Sequence, residues 1–571
     1  MLDDSLERSF APRSHSNLSD LEKNCSQIFV KAPAITREFF EKINNDVVPQ
    51  KTAFFGYQMN TRRVIVLTGL MLLFTFSAMG TVTMWFTNMF QKRIESMMVL
   101  SEDAPTYEMW KKPPIHPPIK IYIFNYTNVE DFEMGRAKKL HVEELGPYVY
   151  FEEMERVNVR FSKVDGTVSY QEKRSYRFSP ELSKGSKDDL VIVPNVPLLA
   201  GAAIVQQFNF IMRLGYQGII NALSESAFTA QTAHNFIIGY DDRLYELAKS
   251  YLKYEDKPVF ENFGILVWKK GIRPDVFTLN TGAHDINKLG QVEKFNGQTH
   301  YEMWGSESCN NLQGSDGMIY RQDLVRARKD LDVFIPQMCR KLPMRFAGEE
   351  RLLDKVPVYR YKVPLDVFDT AENADNQCYC GQNSDSCPPK GLFNATSCLY
   401  GQLENSFYWI IQQHVCFISG APLFYSHPHL YGAEPRLIDA ITGLNPNPVI
   451  NDTFLDVHPK FGMLVRGKVK TQINVQVKKS FGLSVLNDYP DGLILPMVWV
   501  DYGIDEKQLP ASVVELIYQI TFTIRNLELG LKYGCLLATM VTFTFILLVF
   551  KKHQKSRSRV NSMRRPITIR A

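Results

Sequence analysis

The chain has 571 residues, 45% of them hydrophobic and 22% charged, the composition of a folded protein long enough for one large core or several. Its formal net charge of +4 is small for that length and gives no reason to expect nucleic acid as a partner. The informative charges are therefore local.

Residues 1–63 form a predicted cytosolic N-terminal tail. Val64 to Phe90, "VIVLTGLMLLFTFSAMGTVTMWFTNMF", carries no charge and exceeds the roughly 20 residues a helix needs to cross about 30 Å of hydrocarbon. It is a predicted transmembrane helix, 64–90. A signal peptide, with an apolar core of about 7–15 residues, would not sit behind a tail of this length.

The segment 91–528 follows. It begins with "WKKPPIHPPIKIYIFNYTN", where prolines end any helix and lead into a strand, and continues through alternating stretches such as "VNVRFSK" and "GTVSYQEKRSYRFS". Residues 197–253, Pro197 to Lys253, are rich in Ala, Leu, Ile and Phe at helical spacing and predict two or three helices. Their apolar content fits a buried core as well as a lipid-contacting surface. Farther on, Val469, Thr471, Ile473, Val475 and Val477 face one way and Lys470, Gln472, Asn474 and Gln476 the other, which predicts an antiparallel sheet with one wet face.

A second uncharged run, Tyr533 to Phe550, would rise about 27 Å as a helix. Lys532 can lay its stem along the helix, so Leu529 and Leu531 lengthen the span to 529–550. The tail 551–571 holds three lysines, five arginines and no acid, and Arg62 and Arg63 flank the first span. By the positive-inside rule both termini are cytosolic, and 91–528 lies at the cell surface or in an organelle lumen.

Cys25 falls in the N-terminal tail and Cys535 in the second span; the other seven cysteines lie between Cys309 and Cys416. In an oxidising compartment their default state is disulfide. "CYCGQNSDSC" lacks the paired C-x-x-C spacing of a zinc site, and no metal or cofactor is expected. Residue spacing leaves the pairing open. Asn125, Asn394 and Asn451 head N-x-T sequons and are the glycosylation candidates. No G-x-S-x-G, H-E-x-x-H, P-loop or G-x-G-x-x-G occurs, His427 and His429 in "SHPHLYG" read as structural histidines, and no nucleophile or base stands out, so an enzyme is not expected.

Seven blocks spread over about Arg62 to Lys552 resemble the class B scavenger receptors: "PPIKIYIFNYTN", "ELGPYVYFE", "HYEMWGSESCN", "VPVYRYKVP", "NQCYCG", "GAPLFYSHPHL" and "GLNPN...TFLDVHP". The resemblance implies two transmembrane helices flanking a large α+β ectodomain, built on an antiparallel β-barrel with a hydrophobic tunnel and an apical helical bundle at about 197–253. It implies the bridges Cys309–Cys378, Cys339–Cys398 and Cys380–Cys387. It also implies capture of lipids, lipoproteins or apoptotic-cell ligands at the apex, with Ile204, Phe208, Phe210, Ile211 and Phe228 as contacts, and passage of single lipids down the tunnel. The alternative it leaves is a cargo-sorting or adhesion receptor of endolysosomal membranes that binds a protein at the apex. The plasma membrane is the expected location, with endosomal or lysosomal membrane as the alternative. Oligomeric state stays open, since the G-x-x-x-G spacing of "GLKYG" is common in single helices.

Three features depart from the family pattern. The tail of 63 residues before the first span is long for the family. Pro197 to Tyr240 has only Arg213 as a fixed positive charge, which argues against a cationic apex that selects polyanions. In addition, "QLENSFYWIIQQHVCFISG", 402–420, interrupts the family pattern, and its removal leaves the continuous block "SCLYGAPLFYSHPH". It reads as an unspliced intron in frame, with a true loop carrying the extra Cys416 as the rival.

Overall fold

The computed structural model describes residues 51–54, 57–104, 106–254, 259–380, 387–398, 421–504, 506 and 509–563; the segment 402–420 lies outside them. The chain divides into two units, one of residues up to Gln91 together with those from Ile524 onward, the other Lys92–Thr523.

The first unit holds two long apolar helices, Thr61–Phe86 and Ile524–Met563, each belonging to a span long and apolar enough to cross a membrane. They pack together where a small residue lets them approach: a Cβ added at Gly80 would lie 2.9 Å from Cys535 Sγ. Beside that contact the Thr81 and Thr539 hydroxyls meet at 3.2 Å, and the Phe74 and Phe543 rings at 5.8 Å. The first helix stops at Phe86, short of the expected Phe90. Thr87 lies at the break, where its hydroxyl accepts from the Met89 amide and so competes with the helical ladder.

In the second unit, strands β1 (Pro118–Tyr126), β2 (Leu140–Ser162) and β3 (Thr167–Phe178) precede a separate two-stranded antiparallel sheet of β4 (Leu190–Pro194) and β5 (Phe228–Thr232). Then come β6 (Gly271–Asn280), β7 (Val292–Phe295), β8 (Leu331–Ile335), β9 (Arg340–Leu352), β10 (Val356–Lys362) and β11 (Leu423–Ser426). The last are β12 (Phe454–Val457), β13 (Leu464–Gln476) and β14 (Ile494–Gly503). The main sheet runs β8-β9-β10-β12-β13-β14-β1-β2-β3-β6-β7, and β11 pairs with the second half of β13. Gly314 and Ser315 reach across the gap between the end strands. The Val292 amide donates to Gly314 O at 2.9 Å, the Ser315 amide to Asp332 O at 2.8 Å and the Phe334 amide to Ser315 O at 2.9 Å. The sheet is thereby nearly closed on itself.

Four helices occupy the region where two or three were expected: α1 (Val196–Val205), α2 (Phe210–Leu223), α3 (Ala233–Ile238) and α4 (Arg243–Tyr254), with β5 between the second and third. Asn195 and Asn209 cap α1 and α2, each side-chain oxygen accepting an amide of the first turn at 3.1 Å. Pro197 fits the first turn of α1, where its missing donor costs nothing. Helix α1 is buried through Leu198, Leu199 and Ala202 in the core shared with β1, β2 and β14.

The expected wet face of β13 is not wet at its far end. Gln472 and Asn474 are fully buried: Gln472 Oε1 accepts the His429 amide at 2.6 Å, and Asn474 Nδ2 donates to Ser426 Oγ at 2.9 Å. A loop distant in sequence covers them, and alternation within one strand carries no trace of such a cover.

The family block "GLNPN" begins at a glycine with a steric reason. Gly443 has φ +96°, and a Cβ there would sit 1.9 Å from Val142 O. Gly443→Ala is expected to destabilise the protein by about 2 kcal/mol or more, read as a lower midpoint in thermal denaturation. An unchanged midpoint would mean that β2 yields without cost.

Candidate functional site

Alternate residues of each strand in a sheet that returns on itself share an inner face. Register identifies it here: Val498 pairs with Ile473, Val500 with Thr471, Tyr502 with Val469, and Glu152 with Tyr176. Along β3 this face reads Val168, Tyr170, Glu172, Arg174, Tyr176, Phe178. The first two belong to one apolar cluster and the last two pack against another, so a charged layer lies between two apolar ones.

Arg174 holds the layer together. Its Nη1 donates to Glu152 at 2.8 Å, and its Nε and Nη2 donate to Glu172 at 3.1 and 2.8 Å. The Tyr176 and Tyr502 hydroxyls donate to Glu152 at 3.0 and 2.9 Å. Burial by itself would raise both glutamates; the Arg174 charge and its hydrogen bonds outweigh burial and hold them below the usual carboxylate range. Farther along β2, the Arg156 guanidinium sits 4.7 Å from the Trp110 ring and 5.1 Å from that of Tyr170, with Nη2 3.4 Å from Asp316. Apart from this layer, the inner face of β13 and β14 is mainly apolar. It retains accessible surface: Val469 is 38% exposed, and Thr471, Ile473 and Val500 are partly so.

The second feature is an apolar surface on α2. Phe210, Ile211, Met212 and Leu214 are exposed, Ile211 to 77%, and Phe481, 80% exposed, lies with its ring 5.5 Å from that of Phe210. Of the expected contacts, Phe210 and Ile211 lie on this surface, and Ile204 and Phe208 are half-buried. Phe228 does not lie there. It sits in β5, buried against Tyr126 at 4.7 Å and Tyr489 at 5.8 Å, because the strand turns it into the core. Sequence reasoning missed Phe481, which no pattern near "KKSFGLS" marks.

Cys309 is bonded to Cys378, and Cys380 to Cys387. Cys339 and Cys398 stand as buried thiols in hydrogen-bond contact rather than as the expected bridge, and burial pushes the Cys398 thiol well up. Asn125 Oδ1 accepts the Ile192 amide at 2.8 Å, Asn394 Oδ1 accepts the Thr396 amide at 3.0 Å, and Asn451 is half-buried. A cavity of about 1000 Å³ beside Cys309 and Cys378 is lined by Asp330, Asp332, Asp366, Asp375, Lys341 and Arg345 among others. Such a charged lining does not suit an acyl chain.

Fold and site together define a membrane protein with an apolar helix toward each end and a large β-rich ectodomain on a nearly closed antiparallel sheet. The chain belongs to the CD36 family, whose pattern matches residues 67–550. It is similar to scavenger receptor class B member 1 of Mus musculus, 29% identical over 428 residues that cover 75% of this chain and 78% of that protein. The same receptor of Rattus norvegicus is 30% identical over 401 residues, covering 69% and 72%. Lysosome membrane protein 2 of Homo sapiens is 27% identical over 467 residues, covering 80% and 90%.

Two histidines in the family blocks carry a pH consequence. Burial pushes His427 and His458 down to about 4; the Lys460 charge adds to the effect at His458. Unfolded histidine titrates near 6.5, so between about 4 and 6.5 the unfolded chain binds more protons. The stability these neutral rings contribute is complete above about 6.5 and is lost as the pH falls toward 4, on the order of 3 kcal/mol for each. The melting temperature should therefore drop between pH 7 and pH 4.5, and His458→Gln should flatten the drop. A melting temperature independent of pH across that range would contradict the assignment.

Proposed function

We propose that this protein is a class B scavenger receptor that captures lipids, lipoproteins or apoptotic-cell ligands on the exposed face of α2 and passes single lipids through the space inside the sheet to the membrane. The observation that carries the reading is the accessible, mainly apolar inner face of β13 and β14 within a nearly closed ring. Burying acyl surface at about 25 cal/mol per Å² makes such a face a workable substitute for bilayer. The α2 surface supports capture: Phe210 and Phe481 form an exposed aromatic pair of the kind that marks an interaction site.

In this reading 1–63 and 551–571 are cytosolic tails, 64–90 and 529–550 span the membrane, and 91–528 is the glycosylated ectodomain, with sugar on Asn125, Asn394 and Asn451. Cys339 and Cys398, already in contact, close as the third bridge in the oxidising compartment. The plasma membrane is the proposed site of action. A protein cargo at α2 in endolysosomal membranes is the second reading, favoured by the same apolar helix face and by the likeness to lysosome membrane protein 2.

Capture and passage are separable by mutation. Val469→Trp fills the inner space and should reduce uptake of a fluorescent lipid from donor vesicles about tenfold or more while particle binding persists. Ile211→Asp should weaken particle binding and leave transfer of already bound lipid unchanged. Normal uptake by a well-expressed Val469→Trp protein would count against passage through the ring.

A further inference from the structure

The basic residues that flank the two long apolar helices gather at one end of the packed pair. Val64 and Leu67 of the first helix pack with Ile546, Val549 and Phe550 of the second. That contact brings Arg62 and Arg63, just before Val64, to the same end as Lys551 and Lys552, just after Phe550. The second helix does not stop where its apolar run stops but continues to Met563. Lys555 therefore stands one turn beyond Lys551 on the same side of that helix. Arg62, Lys551, Lys552 and Lys555 are all exposed.

The other end of the pair is different. There Lys532 donates to Glu528, one turn away, at 2.9 Å, so an acid of the same helix answers its charge. No acid follows Glu528 in the sequence, and the first helix contains none. Glu528 lies roughly 35 Å along the helix from Lys551, several screening lengths away. Arg62 and Arg63 moreover occupy the first turn of the first helix, the end whose dipole is already positive. Such an arrangement is unfavourable unless an anion stands near. Lys551 begins where the apolar run ends, at headgroup depth, and Lys555 is only about 6 Å farther along the axis, still within a screening length of the bilayer surface. Five cations so placed have the number and the position of a juxtamembrane cluster that attracts anionic lipid.

We infer that the ends of the two helices at Arg62, Arg63, Lys551, Lys552 and Lys555 form a binding site for anionic phospholipid headgroups of the cytosolic leaflet. This rests on the reading of 1–63 and 551–571 as cytosolic tails. Charge complementarity and continuity with the spans carry it, because the same helices that cross the bilayer deliver the cations to its surface. The receptor then sits preferentially where that leaflet is rich in acidic lipid.

The test reconstitutes the full-length protein in phosphatidylcholine vesicles with a trace of spin-labelled phosphatidylserine or spin-labelled phosphatidylcholine, and reads by EPR the fraction of each label that the protein restricts. The serine lipid should be preferred about fivefold at low salt, and about 1 M salt should abolish most of that preference. Lys551→Gln, Lys552→Gln and Lys555→Gln combined should reduce it several-fold, with the five tail arginines left in place to hold the topology. Ser558 is exposed, and its hydroxyl donates to Lys555 O at 3.0 Å. Ser558→Glu removes no cation, sets a carboxylate one turn from Lys555, and should reduce the preference about twofold. Equal restriction of both lipids by the wild type, or a preference that neither salt nor substitution moves, overturns the inference. A preference absent from the wild type that appears when residues 1–50 are deleted assigns the cations to the chain's own tail and overturns it as well. Topology is read separately: an epitope placed after Ala571 should be detected only in permeabilised cells. Detection on intact cells overturns the cytosolic reading and the leaflet assigned here, whatever the vesicles show.

Discussion

Hydrogen bonds through Gly314 and Ser315 tie β7 to β8, and most of the ectodomain's chemistry depends on that closure. An open antiparallel sheet can leave one face in water, and its end strands expose unpaired amides. Once the ends meet, period-2 alternation sorts every strand into an inner and an outer set, and the inner set faces itself across the ring. Ile121, Val498, Tyr148 and Phe178 then pack as core, while Val469 on the same face stays 38% exposed.

The same closure explains why charge on the inner face must be organised. A buried guanidinium or carboxylate without partners costs several kcal/mol, and a strand cannot turn Glu172 or Arg174 outward without turning its neighbours Tyr170 and Tyr176 as well. Pairing is the remaining solution: Arg174 bridges Glu152 and Glu172, and Tyr502 reaches over β1 to complete Glu152. Outside the ring different constraints apply. The α2 surface is apolar although Phe210, Ile211, Met212 and Leu214 are exposed, a cost in water that contact with another apolar surface would relieve.

Much of this was legible in the residues, and the failures have definite causes. The two apolar runs announced the membrane helices, because absence of charge over a bilayer's thickness is a local property. The alternation from Val469 to Val477 gave the strand and its core face correctly. It could not reveal that Gln472 and Asn474 are buried, because the segment that covers them, Ser426 to His429, is more than forty positions away in sequence. Phe228 lies in a stretch whose apolar spacing predicts helix, whereas it sits in a short strand that turns it inward, away from the apical surface the family resemblance implies. The charged layer left no sequence signal, since Glu152 and Tyr502 are separated by 350 residues and each is ordinary in its own segment. Family blocks located the cysteines and Gly443, but the partners that explain them became visible only with the fold.

The central claim is that the ring holds lipid, and native mass spectrometry of the ectodomain tests it most directly. The ectodomain, about Arg93 to Asn526, would be secreted from cells and weighed before and after organic extraction. The account predicts a mass above that of the glycosylated polypeptide, removed by extraction and identified as a single-chain lipid or sterol. A folded, fully bridged ectodomain that carries no lipid, and gains none when incubated with lipid vesicles, would contradict it.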